Sequence, residues 1–406
     1  MVRSAHILIA CVAALLGLGV LMVHSAGANV GAVGSEIAPI THPLANGGPW
    51  AMFMTKHTLF AGLAIVVMLV ASRLNVAELF KHKGWISPVL LFVLLAIGLQ
   101  VLTLIPGVGH EVNGASRWLK IGSFTFQPSE MVKWAMVLAV AWWCARRRGV
   151  MHKLFAGVVP PLILIGGACA LIIKQDLGTG VLVGAVAIVM LIAGGMRLWT
   201  LIPAAALSGV GIFYAIVAEP YRVQRLMIYL DPWSDPEGAG YHPIQSQLAF
   251  AQGGVPGSGL GNSIQKYFLP EDTTDFIFPV LVEELGVAGA AMVIGLFLAI
   301  IWIGLGVVRD SKDTFSRLVA LGVLVTVGAQ AVINIAVVTV VVPTKGIALP
   351  LISAGGTGWV MTAFAIGLIA AIDNANHLAA GEVPTDSTDD TEGETETDQP
   401  KLRLTG

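Results

Sequence analysis

The sequence contains few charged residues, and this excludes a water-soluble enzyme. Asp, Glu, Lys and Arg together make up 12% of its 406 residues, against roughly 25% in soluble domains. Hydrophobic residues reach 56%, and they lie in long uncharged runs rather than in alternating patterns. Because a run of about 18 such residues is typical of a transmembrane helix, the composition predicts an integral membrane protein.

Cysteine is also scarce. The three cysteines, Cys11, Cys144 and Cys169, all lie in apolar runs, and none has the spacing of a metal ligand. Their number and placement argue against a disulfide framework and against a structural zinc site.

The segment 381–400 near the C-terminus lacks both basic and aromatic residues. Residues 381–400 hold 8 of the 25 acidic residues and no Lys or Arg. A stretch of this composition cannot bury enough apolar surface to fold. We therefore expect residues 378–406 to form an acidic, disordered cytoplasmic tail.

Ten hydrophobic runs predict an all-α fold with about ten transmembrane helices in residues 1–377. Arg3 precedes the first run, as in a signal peptide, but no cleavage site separates this run from the next, so it is expected to remain as a helix. The seventh run has the weakest signal. The runs are 7–23, 57–72, 86–105, 130–145, 154–173, 178–195, 199–218, 276–307, 315–342 and 352–373.

The distribution of Lys and Arg sets the expected orientation of the bundle. An even number of spans places both termini on one side of the membrane, and the short loops on that side are rich in basic residues. The positive-inside rule makes this side cytoplasmic. The basic residues in question are Arg73, Lys81, Lys83, Arg146, Arg147, Arg148, Lys153, Arg197, Arg309, Lys312 and Arg317.

A second group of cations lies on the predicted outer side, where a merely solvated surface does not need them. Ionisable groups at membrane depth are costly and usually mark a substrate path, and cations there suit an anionic, lipid-borne substrate. The longest segment between two runs, 219–275, faces the same side. Its seven aromatic residues predict an ordered extracytoplasmic loop that packs onto the bundle. The cations are Arg117, Lys120, Lys133, Lys174, Arg222, Arg225, Lys266 and Lys345.

Five features in the same order resemble the SEDS family (shape, elongation, division and sporulation), which includes FtsW, RodA and SpoVE. One feature is the ten-run hydropathy. The PTKG step at 343–346, which lies within the last of the four motifs named next, resembles the division-type branch more than the elongation-type branch. The other four features are NGASRWLKIGSFTFQPSEMVK at 113–133, QDLGTG at 175–180, the loop from YRVQR to VEELG at 221–286, and NIAVVTVVVPTKGIALPLISAGGTG at 334–358.

The resemblance implies a peptidoglycan glycosyltransferase that polymerises lipid II in the bacterial inner membrane, at the division septum. The donor is then a growing glycan on undecaprenyl pyrophosphate. The acceptor is the GlcNAc 4-hydroxyl of another lipid II, which attacks the anomeric carbon of MurNAc with inversion. The resemblance also implies a class B penicillin-binding protein and other division proteins as partners, and no nucleic acid.

Asp275 is the candidate catalytic residue. A sugar hydroxyl is a poor nucleophile near neutral pH and needs a positioned general base. Asp275 lies where the loop meets the eighth run, a position at which Asp also commonly caps a helix; the two roles are compatible. The resemblance implies that Asp275 is the catalytic aspartate of the family.

Two motifs depart from the family pattern. LPEDTTDFIF lacks the histidine that the family commonly has before its aspartate, and it places Asp272 three residues before Asp275 instead. SAGGTG replaces the common SYGGSS and so removes an aromatic side chain. Both changes affect fine substrate contacts rather than the class of reaction.

The candidate substrate-binding residues include five cations that match the charge of the leaving group, Arg222, Arg225, Lys266, Lys345 and Lys133. The leaving group carries two phosphates, so cations or a metal must offset its charge; a divalent cation, Mg²⁺ or Mn²⁺, is the one cofactor considered, and no metal ligands are assigned. The candidates are Arg222, Arg225, Lys266, Lys345, Glu130, Lys133, Asp176, Glu283, Glu284 and Ser353.

Structural alternatives exist for most of these candidates. Each cation can instead be an interfacial residue with its head group in water, and Glu130 and Lys133 can neutralise each other inside the bundle. Asp176 and Ser353 can cap helices. At most one carboxylate of the pair at 283–284 is expected to face the interior, where it pairs with a lysine or helps to hold a divalent cation.

Two other classes of function compete with the transferase. A lipid II flippase needs polar groups at both faces and at the midplane, usually with repeats or broken helices, whereas the polar motifs here cluster on the outer side. A scaffold that only activates a partner synthase predicts that Asp275 is dispensable. Within the transferase class, an elongation-type polymerase is the alternative to a division-type one.

Overall fold

The computed structural model of the chain describes residues 3–27, 55–81, 87–112, 115–122, 124–269, 273–344 and 346–381. Lys345 and Asp272, and the predicted acidic tail beyond residue 381, lie outside the described residues.

Each of the ten hydrophobic runs contains a helix, and the described part of the chain holds three shorter helices between them. In chain order the helices are α1 (Ser4–Gly27), α2 (Lys56–Ala71), α3 (Val76–Lys81), α4 (Pro88–Leu102), α5 (Pro128–Arg146), α6 (Val159–Ile173), α7 (Leu177–Ala193), α8 (Leu201–Val217), α9 (Pro220–Leu230), α10 (Tyr241–Gly253), α11 (Ile277–Asp310), α12 (Thr314–Val338) and α13 (Gly356–Gly381).

Six of these helices are long and apolar enough to cross a membrane. They are α1, α6 and α8 (each of the last two with the short turn before it), α11, α12 and α13. Helices α2, α4 and α7 are apolar but have only 15–17 residues, and α5 carries Glu130, Lys133 and Arg146. The helical bundle is therefore confirmed, whereas a count of ten spans stays a prediction.

A small antiparallel sheet between α4 and α5 was not expected from the sequence. Its strands are β1 (Gly109–Val112), β2 (Ala115–Ile121) and β3 (Phe124–Phe126), in the order β1-β2-β3. Leu119 at its centre lies opposite both Gly109 and Phe126. Strands of three to seven residues leave too short a pattern to be recognised beside long hydrophobic runs. The sheet packs against α5 and α13.

Helices α5 and α12 form the centre of the bundle. Helix α12 packs against α5, α7, α11 and α13. At Gly322 of α12 an added Cβ would lie 2.6 Å from Met190 Sδ and 2.7 Å from Val137 Cγ1, so only glycine lets α5, α7 and α12 approach this closely. Small residues at helix crossings are typical of membrane bundles.

Helix α8 stands apart from this core. It contacts α9 and its own N-terminal turn, and none of its described side chains is buried. Leu207, Phe213 and Tyr214 are each more than 65% exposed. An apolar helix exposed on all sides is what a lipid-facing span requires.

The described residues of the segment 219–275 pack onto the bundle, as predicted, but they include two helices that the sequence analysis missed. In α9, Arg222 Nη1 donates to Ala215 O (2.7 Å) and Nη2 donates to Ile173 O (3.3 Å), near the ends of α8 and α6. In α10, Ser246 Oγ donates to Val338 O (2.6 Å) at the end of α12. The segment is rich in Gly and Pro, which are typical of loops, so its sequence did not predict these short helices.

Helix α11 is broken at Gly286, whose φ of 65° and ψ of −162° lie outside the helical region. The break deprives the carbonyls of Glu283 and Glu284 of their helical partners. The loop supplies replacements, because Ser258 N donates to Glu283 O (2.8 Å) and Gly259 N donates to Glu284 O (2.9 Å). Irregular backbone at membrane depth is tolerated only where protein or water satisfies it, so the loop and the kink stabilise each other.

Candidate active site

Asp275 lies in the turn 273–276 immediately before α11 and is half-buried. Phe276 occupies the N-cap position of α11, so Asp275 is one residue before the cap. Its side chain therefore precedes the first turn of the helix.

Residues 346–354 (the 346–354 segment) pack directly against Asp275. A Cβ added at Gly346 would lie 2.6 Å from Asp275 Oδ2, so the carboxylate rests on bare backbone. Ala354 N donates to Thr273 O (2.8 Å), which ties the far end of the segment to the same turn.

Ser353 closes the 346–354 segment on itself. Its Oγ accepts a hydrogen bond from Leu349 N (2.7 Å), and its side chain is 1% exposed. Because α13 begins only at Gly356, the prediction that Ser353 caps this helix is wrong. Its hydroxyl instead stabilises the turn that leads into α13.

Two amides of α12 hold the segment from the other side, and the sequence analysis missed both. Asn334 Nδ2 donates to Ile347 O (2.7 Å) and to Asp275 O (3.0 Å). Gln330 Nε2 donates to Ala348 O (2.9 Å). Their spacing of four residues places both amides on one face of a helix. The sequence does contain a signal for these two residues, because a pair of amides four residues apart is unusual inside an apolar run.

Glu130 and Lys133 form an ion pair of 2.8 Å at the start of α5, with side chains 13% and 2% exposed. Lys133 Nζ also donates to Gln330 Oε1 (2.8 Å), and it lies 5.1 Å from the centre of the Trp134 ring. Mutual neutralisation, one of the two alternatives from the sequence, is thus what the structure shows. Gln330 links this pair to the 346–354 segment.

Asp176 caps α7 next to the same segment. Its carboxylate accepts hydrogen bonds from Thr179 N (3.1 Å) and Thr179 Oγ1 (2.8 Å). A Cβ added at Gly178 would lie 2.9 Å from two side-chain carbons of Ile347. The structure therefore gathers Asp275, Ser353, Asp176 and the ion pair of α5 around one segment.

Glu283 and Glu284 are both buried, each 1% exposed, so the expectation that at most one faces the interior is wrong. The Glu283 carboxylate accepts hydrogen bonds from Ser263 Oγ and Ile264 N. The Glu284 carboxylate accepts one from Ser25 Oγ (2.6 Å) at the end of α1. Hydroxyl and backbone donors thus take the place of the lysine that the sequence suggested.

Lys266 is buried as well, at 5% exposure. Its Nζ donates to Gly261 O (2.7 Å) and to Ser25 O (3.3 Å). The second carbonyl belongs to the last turn of α1, where the negative end of the helix dipole favours a cation. Lys266 thus fastens the loop to α1.

Arg222 and Arg225 share α9, but their side chains differ in environment. The Arg222 guanidinium is engaged by the two carbonyls described above and by Tyr221 Oη (2.9 Å). Arg225 is exposed, and its guanidinium lies 5.7 Å from the centre of the Tyr221 ring. In this arrangement the Arg225 guanidinium is therefore more available to a phosphate group than that of Arg222.

In the described part of the chain, no group of three or more His, Cys, Asp or Glu side chains is placed to hold a metal ion. A divalent cation stays a prediction, as does the role of Lys345, which lies outside the described residues.

Comparison with known proteins places this geometry in a family. The sequence profile of the FtsW, RodA and SpoVE family, described as "Cell cycle protein", matches residues 5–378. The chain belongs to this family. The match extends over all ten hydrophobic runs and over every candidate site residue, so the SEDS resemblance is confirmed and the chain is a multi-pass membrane protein.

Two relatives carry the name "Probable peptidoglycan glycosyltransferase FtsW". The one from Trichlorobacter lovleyi is 37% identical over 375 residues, which cover 92% of this chain and 94% of the relative. The one from Nitrosococcus halophilus is 39% identical over 371 residues, which cover 90% and 91%. The chain is therefore FtsW-like at the sequence level.

Two solved structures share the fold. One is a chain of a peptidoglycan synthase complex that coordinates polymerization and crosslinking, with a TM-score of 0.70, 24% identity and coverage of 91% of this chain and 97% of that one. The other is the rod shape determining protein RodA of Thermus thermophilus, with a TM-score of 0.60, 22% identity and coverage of 91% and 96%. At these identities the likeness concerns the fold alone.

Proposed function

We propose that the protein is a peptidoglycan glycosyltransferase that polymerises lipid II during septal cell-wall synthesis. The observation that carries the proposal is the position of Asp275, a half-buried carboxylate packed against Gly346. The names of the relatives support the same activity.

In the proposed reaction Asp275 acts as the general base. Its carboxylate accepts the proton of the GlcNAc 4-hydroxyl while that oxygen forms a bond to the MurNAc anomeric carbon. The bond between this carbon and the pyrophosphate oxygen breaks, so undecaprenyl pyrophosphate leaves with the electron pair and the configuration inverts. Water then removes the proton from Asp275.

Cations near the site offset the charge of the departing pyrophosphate. We assign this role to Arg225, which is exposed on α9, and to Lys345, which directly precedes Gly346 in the sequence. The remaining predicted binding residues are engaged within the protein, so we assign them to holding the site in shape.

The proposed setting is the bacterial inner membrane at the septum, with both termini in the cytoplasm and an acidic tail at 378–406. The substrate is then delivered from the outer leaflet, on the side of the 219–275 segment. A class B penicillin-binding protein is the proposed partner, because one structural neighbour is a chain of a peptidoglycan synthase complex.

The activity is tested with the purified full-length protein, fluorescent lipid II and the penicillin-binding partner with its crosslinking serine replaced. Long glycan strands resolved on a gel are the expected product. Movement of lipid II across liposomes without any polymer would favour the flippase instead. Polymer formed only by an added synthase would favour the scaffold.

A further inference from the structure

Asn334 is a buried amide that joins two stretches of backbone far apart in sequence. Its side chain is 1% exposed. The two hydrogens of Nδ2 serve Ile347 O and Asp275 O, at 2.7 and 3.0 Å. Within the described part of the chain, its Oδ1 has no hydrogen-bond partner, so the amide acts there as a donor.

The surroundings explain why a double donor is needed at this point. The 346–354 segment is irregular backbone enclosed by helices, and its carbonyls need partners from the protein. Gln330 supplies one to Ala348 O, but this contact does not reach the turn 273–276. Asn334 alone among the described side chains donates to a carbonyl of both the segment and that turn.

We propose that Asn334 is a positioning residue, which sets the distance between the Asp275 carboxylate and the 346–354 segment through its two hydrogen bonds. The inference rests on the proposed function of Asp275 as the base. The Asp275 carboxylate packs so closely against Gly346 that a Cβ there would lie 2.6 Å from Oδ2. A small displacement of either backbone stretch therefore moves the carboxylate relative to a bound hydroxyl. Misplacement by about 1 Å can cost 10²-fold in rate.

A positioning role and a merely structural one predict different kinetics. Asn334→Leu keeps the size of the side chain and removes both donors, and Asn334→Ala removes them with less bulk. We expect either variant to lower kcat for lipid II polymerisation at least tenfold while KM stays within twofold. Asn334→Gln, which keeps a donor amide, should retain more of kcat than Asn334→Leu does.

The matched control is Thr326→Val on the same helix, two turns earlier. Thr326 is fully buried, and its Oγ1 donates only to Gly322 O of its own helix (2.6 Å). We expect this variant to keep both kcat and KM within twofold of the wild type.

Hydrogen exchange provides a readout that does not depend on activity. Peptides that cover 273–283 and 346–354 should exchange faster in Asn334→Leu and at the wild-type rate in Thr326→Val. If the wild type makes no polymer, the proposed function fails, and this exchange pattern still tests the link that Asn334 makes.

Three results would overturn the inference. The first is a folded Asn334→Leu variant with wild-type kcat, and the second is exchange in the two peptides that does not change. The third is the loss of folded protein in both donor-free variants, since Asn334 would then be a determinant of folding rather than of position.

Discussion

Two uncharged residues in the described part of the chain, Gly346 and Asn334, help to place the carboxylate of Asp275. Gly346 leaves room for it, and Asn334 holds the backbone carbonyls on both sides of the contact. Further from the carboxylate, Lys133 pairs with Glu130 and is linked to the 346–354 segment through Gln330. A site built in this way is sensitive to small changes of shape.

Gly346→Ala tests this sensitivity directly. The new Cβ would lie 2.6 Å from Asp275 Oδ2, well inside van der Waals contact, so the carboxylate or the segment must move. We expect polymerisation of lipid II to fall at least tenfold, measured as the initial rate. Gly295→Ala on α11, where an added Cβ meets nothing within 4 Å, should leave the rate unchanged; equal rates for both variants would argue against this packing.

Lys133→Met tests the buried ion pair. It leaves Glu130 charged and largely buried, and breaking a buried pair in this way typically costs about 3 kcal/mol. We expect a lower thermal unfolding midpoint for the variant in detergent.

The double variant Lys133→Met/Glu130→Gln separates stability from activity. It removes both charges, so the midpoint should recover most of the loss, whereas polymerisation should stay reduced because the link to Gln330 is gone. Full recovery of activity in the double variant would show that the pair serves stability alone.

At the level of elements, the kink in α11 and the loop around residues 258–267 form one unit. Glu283 binds this loop through its carboxylate and through its main-chain carbonyl. Its neighbour Glu284, equally buried, also binds the loop through its main-chain carbonyl, but its carboxylate binds Ser25 of α1. The two adjacent glutamates therefore differ in the partners of their carboxylates, so each serves as a control for the other.

Glu283→Ala should release the loop while Glu284→Ala should not. Removal of the Glu283 carboxylate leaves Ser263 Oγ and Ile264 N without their acceptor. We expect limited proteolysis to cut within 255–269 several times faster in Glu283→Ala than in the wild type. Equal cleavage rates in the two variants would contradict a specific role for Glu283.

Some of these elements were predictable from the sequence and others were not. Long hydrophobic runs place all ten main helices because lipid exposure imposes a composition on each one. No such signal marks helices α9 and α10 or the sheet. These elements are held by tertiary contacts, such as those of Arg222 with the ends of α6 and α8, and a sequence does not show such contacts.

The sequence predicted those candidate site residues whose role can be read from their own position and motif. Asp275 follows from its position before a hydrophobic run and from the family resemblance. Asn334 and Gln330 act on backbone carbonyls brought together only by the fold, and no sequence pattern states which carbonyls those are. Burial of both Glu283 and Glu284 likewise depends on the kink at Gly286.

In the molecule as a whole, helix α8 is exposed on all sides, and the polar residues of the candidate site cluster around the 346–354 segment. The ends of α5 and α11 that carry Arg146 and Arg309 are the opposite ends of helices that begin beside Glu130 and Asp275. The positive-inside rule then predicts that the site lies outside the cytoplasm.

Cysteine labelling tests this orientation. Glu237 and Lys312 are both exposed, the first in the 219–275 segment and the second between α11 and α12. A membrane-impermeant maleimide should label Glu237→Cys in intact spheroplasts and Lys312→Cys only after permeabilisation, above the background of the native cysteines. The reverse pattern would place Asp275 on the cytoplasmic side and would end the proposal of a lipid II polymerase.

The most direct test of the account is the activity of Asp275→Asn. The substitution keeps the shape of the side chain and removes its basicity, so purified protein with its partner should bind lipid II normally and form no glycan. Glu237→Gln, which removes an exposed carboxylate from the same segment, should polymerise at the wild-type rate. Wild-type glycan synthesis by Asp275→Asn would contradict the central claim that this carboxylate accepts the proton of the attacking hydroxyl.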